Sequence, residues 1–398
     1  MAAPKMMLSE FGSLDRFRVQ DAGGVMTPAL LVYPDAIGAN IAAILTTLGG
    51  AGDRWRAHVK TAKLAFTMRM LADCGVTNFK CATTLELVVA CESGARDVLV
   101  AYPVVGANAR RVREIAQSFP AVRVSILAEN EEQIRQWSGS RLGVFLDVNP
   151  GMNRTGIEQD HRDEIVALTK TIRSAGLPFR GLHYYDGHFG GLDESERTPA
   201  AHRGYEQLLK VVEALEQSGL RVEEVITAGT PTFPASLAFA GFRGRQFVHR
   251  ISPGTVVYND ATSLAQLPVS LGLQPAVLVM TCVVSHPRAG IITCDAGHKS
   301  VSADAGVPTC IVAGHPELAP LGPSEEHLPM AVAEGAAAPK VGEILYLIPR
   351  HVCPTVNNFD SAILVRNNKV ESLEKVSARG RETPLIAELL HAAASHQS

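Results

Sequence analysis

The chain has 398 residues, 46% hydrophobic and 19% charged, with a formal net charge of −3 from 37 basic and 40 acidic side chains. Such a chain buries a large core and divides into about two domains at roughly 150 residues each, which excludes whole-chain disorder. No field of one sign exists to draw in nucleic acid or an anionic membrane surface, and no uncharged apolar run reaches the ~18 residues of a membrane span. Residues 1–15 lack the apolar stretch and small-residue cleavage pattern of a secretory signal. The seven cysteines are odd in number and form no close pair, so a disulfide framework is not expected and a reducing cytoplasm is. Six of them read as small buried apolar residues. Cys353, two residues from His351, reads as a ligand.

In chain order, strand-like runs fall at residues 30–33, 54–60, 79–82, 98–102, 122–127, 143–148, 179–184, 224–228 and 247–250. Helix patterns lie between them at 35–48 with Asp35 as cap, 65–74 ending at Gly75, 84–93 ending at Gly94, 107–118, 130–137, 163–175, and within 195–218. This alternation implies parallel strands with crossover helices, an α/β class. About eight such units in ~245 residues fit a closed (β/α)8 TIM barrel better than an open doubly wound sheet. After residue 270 the runs at 276–285, 290–294, 307–313, 344–348 and 362–366 are short and separated by Gly, Pro and polar residues, which predicts a second, mainly-β domain. The expected division is an N-terminal segment 1–25 packing with the β domain, a barrel 26–270, and a β domain 271–398 with a C-terminal helix at 384–394.

Five segments carry chemistry. Arg56-Ala57-His58-Val59-Lys60-Thr61 ends a strand near the start of the barrel, and barrels keep their active sites at strand C-terminal ends. A lysine buried there has a lowered pKa and can attack an aldehyde to form a Schiff base; the same segment also fits a solvated lysine at a loop start. Lys60 and His58 are its candidate catalytic residues. Asp147 to Gly156 presents Arg154 on a Gly- and Asn-rich loop, either as a fixed cation for a ligand oxygen or as a surface arginine. Two further turns, around Thr227, Gly229 and Thr230 and around Gly254, Thr255 and Tyr258, combine Gly with hydroxyls and can cradle a phosphate through backbone N–H groups. Last, His351-Val352-Cys353, read as a strand, points imidazole and thiol the same way. That is half of a site for a soft divalent ion, with water or substrate completing it, or else a buried Cys beside a hydrogen-bonded His.

In order and spacing, these segments resemble the fold-type III pyridoxal phosphate (PLP) enzymes, the alanine racemase-like barrels, over residues 25–370. Residues 56–63 resemble the R-P-H-V-K-T-H-K signature of the D-threonine aldolase and D-serine dehydratase branch, and His351 to Asn357 resembles that branch's metal motif. The resemblance implies that Lys60 holds PLP covalently and that Arg154 faces its phenolic oxygen. It implies that Tyr184, Tyr185 and His188 line the pocket, that Thr227, Gly229, Thr230, Gly254 and Thr255 bind the phosphate beside Tyr258, and that His351 and Cys353 hold a divalent metal, zinc ahead of manganese or magnesium. The chain departs from the signature at Ala57 in place of Pro and Ala62 in place of the second His. Cys353 stands where the aldolases carry Asp, as in the dehydratases, whereas Pro354-Thr355-Val356-Asn357 is aldolase-like.

The activity implied is a lyase on D-β-hydroxy-α-amino acids. The first expectation is D-threonine aldolase; the alternative is dehydration of D-serine or D-threo-3-hydroxyaspartate. An amino-acid racemase would need a second base on the opposite ring face, and a non-catalytic PLP carrier would lack the β domain. The expected partners are a small D-amino acid and a second copy of the chain in a homodimer, with no nucleic acid and no membrane.

Overall fold

Short strands, mostly buried on both faces and alternating with helices, build the first half of the fold. The structure is a computed structural model that describes residues 14–384. In chain order the elements are β1 (Ala29–Val32), α1 (Pro34–Thr47), β2 (Arg56–His58), α2 (Ala65–Asp73), β3 (Asn78–Cys81), α3 (Thr84–Glu92), β4 (Asp97–Val100), α4 (Gly106–Ser118), β5 (Arg123–Ala128), α5 (Glu131–Arg135), β6 (Gly143–Asn149), β7 (Ile157–Glu158), α6 (Arg162–Ser174), β8 (Phe179–Tyr184), α7 (Glu194–Gln217), β9 (Glu224–Thr227), α8 (Phe233–Ala238), β10 (Val248–Ile251) and α9 (Ala261–Gln266). There follow β11 (Val277–Arg288), β12 (Ile291–Cys294), β13 (Cys310–Val312), β14 (Leu318–Pro320), β15 (Leu328–Val332), β16 (Ile344–Pro349), α10 (Val352–Asn357), β17 (Ser361–Arg366) and β18 (Lys369–Lys375). No helix among the described residues is long and apolar enough to cross a membrane.

Contacts divide the chain into two compact units. One comprises Ala51–Lys60, Leu71–Gly254 and the residues from Gly380. Its sheet runs β2-β3-β4-β5-β6-β8-β9-β10, every pair parallel, with β7 added to β6. A parallel bridge between Trp55 and Ile251 brings the last strand back to the first, so the sheet is a nearly closed eight-stranded barrel, as expected. Leu99, Leu127, Phe145 and Ile226 form a buried apolar cluster. Helix starts are set locally. Thr83 Oγ1 accepts the Glu86 N–H at 3.0 Å to open α3, and Asn130 Oδ1 accepts the Gln133 N–H at 2.9 Å to open α5.

The N-terminal ends of the strands are tied by buried charge. Arg56, first in β2, donates to both Glu224 carboxylate oxygens at 2.7 and 2.9 Å and to Asp97 at 2.9 Å. Arg180 in β8 donates to Asp97 at 3.0 Å, and Arg250 in β10 pairs with Glu224. These bonds satisfy groups that could not otherwise be buried.

The other unit comprises the residues up to Gly50, Thr61–Met70 and Thr255–Arg379. Its sheet runs β14-β15-β12-β11-β1-β17-β18, with β16 on β11 and β13 on β16. It is antiparallel except where β1 meets β17. The 30–33 run, which the sequence places at the head of the βα alternation, thus forms β1 but pairs with β11 and β17. A four-residue strand buried on both faces carries no local signal of which sheet it joins.

Asp35 does not cap α1: Tyr33 is the cap residue, Pro34 takes the first helical position, and Asp35 lies inside the first turn. Of the N-terminal segment, residues 14–25 are described, and the Val19 N–H donates to the Tyr346 hydroxyl at 2.9 Å. The helix expected at 384–394 lies, past Pro384, outside the described residues. Cys81, Cys91, Cys294 and Cys310 are buried as expected, whereas Cys74 is exposed and Cys282 half-buried.

Candidate active site

Strand β2 ends at His58, and Lys60, half-buried, follows at the C-terminal face of the barrel. Around the ring of Tyr185 three cations gather. Lys60 Nζ lies 5.9 Å from the ring centroid, Lys80 Nζ 5.4 Å and the Arg154 guanidinium carbon 5.2 Å. Among the described residues neither the Lys60 ammonium nor the Arg154 guanidinium has a hydrogen-bond or carboxylate partner. Cations gathered at this end of the barrel suit an anion carrying several oxygens, and the phosphate and phenolate of PLP meet that description.

The glycines of the two turns are places where backbone comes close. A Cβ on Gly229 would stand 2.7 Å from the Tyr185 ring, and one on Gly254 would stand 2.4 Å from the His58 carbonyl oxygen. The 229–232 turn is held from below by Asp186, fully buried, which accepts from the Thr232 hydroxyl at 2.5 Å and the Tyr205 hydroxyl at 2.6 Å. Burial pushes the Asp186 pKa up while these bonds pull it down. Thr230 is buried in the same turn.

Other expected residues are placed elsewhere. Strand alternation sends Tyr184 to the side opposite Tyr185, where its ring packs edge-on against Tyr205 of α7 at 5.7 Å. Thr227 spends its hydroxyl on Ser236 at 2.6 Å and His249 at 2.8 Å. His188 is half-buried in the 187–191 turn, stacked on Phe189, and its Nδ1 has no partner among the described residues. His58 is buried, and its Nδ1 accepts the Lys60 backbone N–H at 3.4 Å. Burial first, then Lys60, Lys80 and His183, hold its pKa well below the usual imidazole range, so this ring is neutral.

Lys80, Asp147 and His183 form a linked set that motif reading passed over. Lys80, on β3, donates from Nζ to Ser252 Oγ at 2.6 Å and meets His183 Nε2 at 3.2 Å. His183 Nδ1 lies 2.7 Å from Asp147, whose other oxygen accepts the Thr155 hydroxyl at 2.7 Å. A carboxylate only accepts, so Nδ1 carries the proton and Nε2 is left to accept from Lys80. The available signal was a lysine inside a strand read as apolar.

In the other unit the segment from His351 is not a strand. β16 ends at Pro349, His351 is the cap residue of α10, and Cys353 is the second residue of that helix. Pro354 fits because the first helical turn needs no N–H from it. The side chains still meet. His351 bonds to Cys353, and its Nδ1 lies 2.7 Å from Asp304. Burial lowers the imidazole pKa, but Cys353 and Asp304 outweigh it and hold it at about 9. Cys353 Sγ lies 2.9 Å from the Thr61 hydroxyl and 3.7 Å from that of Thr255. Asp260, fully buried, accepts the Ser263 and Val352 N–H groups at 2.8 and 2.9 Å and so ties the start of α9 to that of α10. The Tyr258 and Thr67 hydroxyls share a hydrogen bond at 2.8 Å. No third His, Cys, Asp or Glu among the described residues joins His351 and Cys353 within reach of one ion; the one triplet with that spacing is the exposed Glu158, Asp160 and His161.

The family described as alanine racemase, N-terminal domain, matches residues 32–261. The chain belongs to that family. A second family, described as "Putative serine dehydratase domain", matches residues 276–365. A D-threonine aldolase of Arthrobacter sp. is 26% identical over 368 residues, covering 89% of this chain and 93% of the relative. A 3-hydroxy-D-aspartate aldolase of Paracoccus denitrificans (strain Pd 1222) is 28% identical over 378 residues, covering 91% and 94%. Among solved structures, D-threonine aldolase from Filomicrobium marinum superposes with a TM-score of 0.82 at 28% identity, covering 91% of this chain and 98% of that one. Membership in the alanine racemase family agrees with the barrel and with the lysine that follows its first strand.

Proposed function

We propose that this chain is a PLP-dependent lyase of D-β-hydroxy-α-amino acids and that its reaction is retro-aldol cleavage of a D-threonine-like substrate to glycine and an aldehyde. The observation that carries the reading is the convergence of Lys60 and Arg154 on the ring of Tyr185, both without a carboxylate partner among the described residues. The aldolases similar to this chain over nearly their whole length support it.

Lys60 is the amine that would carry the cofactor, with Arg154, Gly229 and Gly254 around it. PLP supplies an electron sink for the pair released when a bond to Cα breaks. The Tyr185 ring lies within cation–π range of all three cations. His58, neutral and held beneath Lys60, presents no competing charge to the Lys60 ammonium. His351 and Cys353 would hold a divalent ion, of which a Cys–His pair favours zinc, and such an ion would act as a Lewis acid toward a hydroxyl oxygen. Asp304 orients the His351 ring through Nδ1, the arrangement by which carboxylates fix metal-binding imidazoles.

Dehydration is the second reading, favoured by Cys353 in place of Asp and by the match of residues 276–365 to a serine dehydratase domain. The two outcomes differ in which proton is taken. Loss of the β-hydroxyl proton breaks Cα–Cβ; loss of the α-proton expels hydroxide and ends in a 2-oxo acid and ammonia. Incubating the holoenzyme with D-threonine separates them. Glycine and acetaldehyde are expected, and 2-oxobutanoate with ammonia would overturn the aldolase. Lys60→Ala is expected to lose both activity and the borohydride-trapped cofactor adduct. We also propose a homodimer, which light scattering showing a monomer at working concentration would refute.

A further inference from the structure

Lys80 is an anomaly of burial. Its side chain is fully enclosed within the barrel at 1% exposure, yet among the described residues no carboxylate bonds to its ammonium. Its two hydrogen-bond partners, Ser252 Oγ and His183 Nε2, are neutral, and Asp147 and Asp186 act on it by charge without a hydrogen bond to it. Ser252 in turn donates to the Ala228 carbonyl oxygen at 2.7 Å, so its hydroxyl is oriented to accept from Lys80. A buried cation with no carboxylate bonded to it is costly, and an apolar residue would serve packing better. The same ammonium faces the Tyr185 ring that Lys60 and Arg154 face.

We propose that Lys80 is a positioning residue of the cofactor pocket, whose buried charge, fixed by Ser252 and His183, sets the pH at which the linkage between Lys60 and bound PLP gains its proton. This rests on the assignment of Lys60 as the PLP carrier. Two features separate the roles of the two lysines. Lys60 is half-buried, and among the described residues its ammonium has no hydrogen-bond or carboxylate partner. Lys80 is sealed in and hydrogen-bonded, so it acts by its field.

The groups that face Lys80 are Lys60, Arg56 and His58 from the β2 segment, Asp147 from β6, and His183 and Asp186 from the β8 segment. Burial first and then Lys60 lower the Lys80 pKa to about 7, against the pull of Asp147, so its charge is adjustable near neutral pH. A like charge disfavours protonation of its neighbour. The wild-type linkage therefore gains its proton at a lower pH than it would without Lys80.

The test titrates the visible absorption of the holoenzyme against pH for wild type, Lys80→Met and Lys80→Arg. Borohydride reduction and peptide mass mapping run alongside to locate the cofactor. The expected result is an adduct on Lys60 in all three, with the titration midpoint raised by about one pH unit or more in Lys80→Met and returned toward wild type in Lys80→Arg. A Lys80→Met midpoint within about 0.3 unit of wild type overturns the proposal, as does a Lys80→Arg midpoint equal to that of Lys80→Met. An adduct trapped on Lys80 overturns it too. If Lys80→Met does not fold, Ser252→Ala removes the anchor that favours the charged amine. Its midpoint is expected to rise as well, by less, and an unmoved midpoint counts against the proposal. A wild-type protein that takes up no PLP would instead overturn the assignment of Lys60 and leave nothing for Lys80 to tune.

Discussion

Gly254→Ala tests whether the barrel seam positions Lys60. The added Cβ would stand 2.4 Å from the His58 carbonyl oxygen, 3.1 Å from His58 Cβ and 3.3 Å from the His58 carbonyl carbon. Comfortable contact begins near 3.5 Å, so the two segments must part by about 1 Å. The obstacle is backbone and cannot swing aside. Both segments are also pinned: Trp55 Nε1 donates to the Pro253 carbonyl at 2.9 Å, Trp55 bridges to Ile251, and the Val59 N–H donates to the Lys80 carbonyl at 2.8 Å. Relief therefore comes at the end of β2, where Lys60 sits. Overpacking of this kind costs about 1–3 kcal/mol. If it falls on the cofactor-bound form, PLP affinity drops about 5- to 150-fold. If it falls on the fold, Tm drops by about 2–4 °C per kcal/mol. Equilibrium dialysis of PLP against the apoprotein, with a parallel thermal melt, measures both. Gly322→Ala is the control, since a Cβ there meets nothing within 4 Å. A Gly254→Ala protein with wild-type Tm and PLP affinity within about twofold would refute the reasoning.

Glu224→Gln is expected to destabilise the barrel by about 3–5 kcal/mol in urea melts, because it leaves Arg56 and Arg250 short of a buried counter-charge; a loss below about 1 kcal/mol would contradict the structure. Burial pushes the Asp97 pKa up, but Arg56 and Arg180 outweigh it and hold the carboxyl far below its usual range. The stability it contributes is complete above the unfolded value of about 3.9 and is lost as pH falls below that toward the folded value. The urea midpoint should thus fall steeply below about pH 4, less so in Asp97→Asn, and equal acid sensitivity in the two proteins would refute the assignment. At the second site, Asp304→Ala should weaken metal binding about 10- to 100-fold and Cys353→Ser at least as much, read by elemental analysis after dialysis. A Cys353→Ser protein that keeps its full metal would remove that thiol from the ligand set.

The barrel was legible because its strands are buried on both faces and read as short apolar runs between well-marked helices. Asp97–Val100 and Gly143–Asn149 are examples. β18, Lys369–Lys375, was not legible, since its residues are mostly polar and exposed and its strand state rests on pairing with β17. β1 was found as a strand but not placed, because pairing partners are a tertiary property. At the site, Lys60, Arg154 and the glycine turns stood out by residue type at strand ends. Lys80 did not, because it lies inside the strand Asn78–Cys81, not past the strand end where sequence reasoning looks for chemistry. Asp304, in a loop with no pattern, had no signal at all. The strand reading of His351 to Cys353 missed the meaning of Pro354, which marks a first helical turn.

The ion cluster at the start of the barrel strands bears on more than stability. Its buried members, Arg56 and Arg180 with Asp97 and Glu224, balance, and the half-buried Arg250 adds one positive charge. At the other end of the same strands Lys60, Lys80 and Arg154 stand against Asp147 and Asp186. Each end of the barrel thus holds an excess of positive charge over these carboxylates, and an approaching phosphate ester feels that excess before it touches any residue. Ionic strength should then slow the capture of PLP by the apoprotein more than it speeds its release.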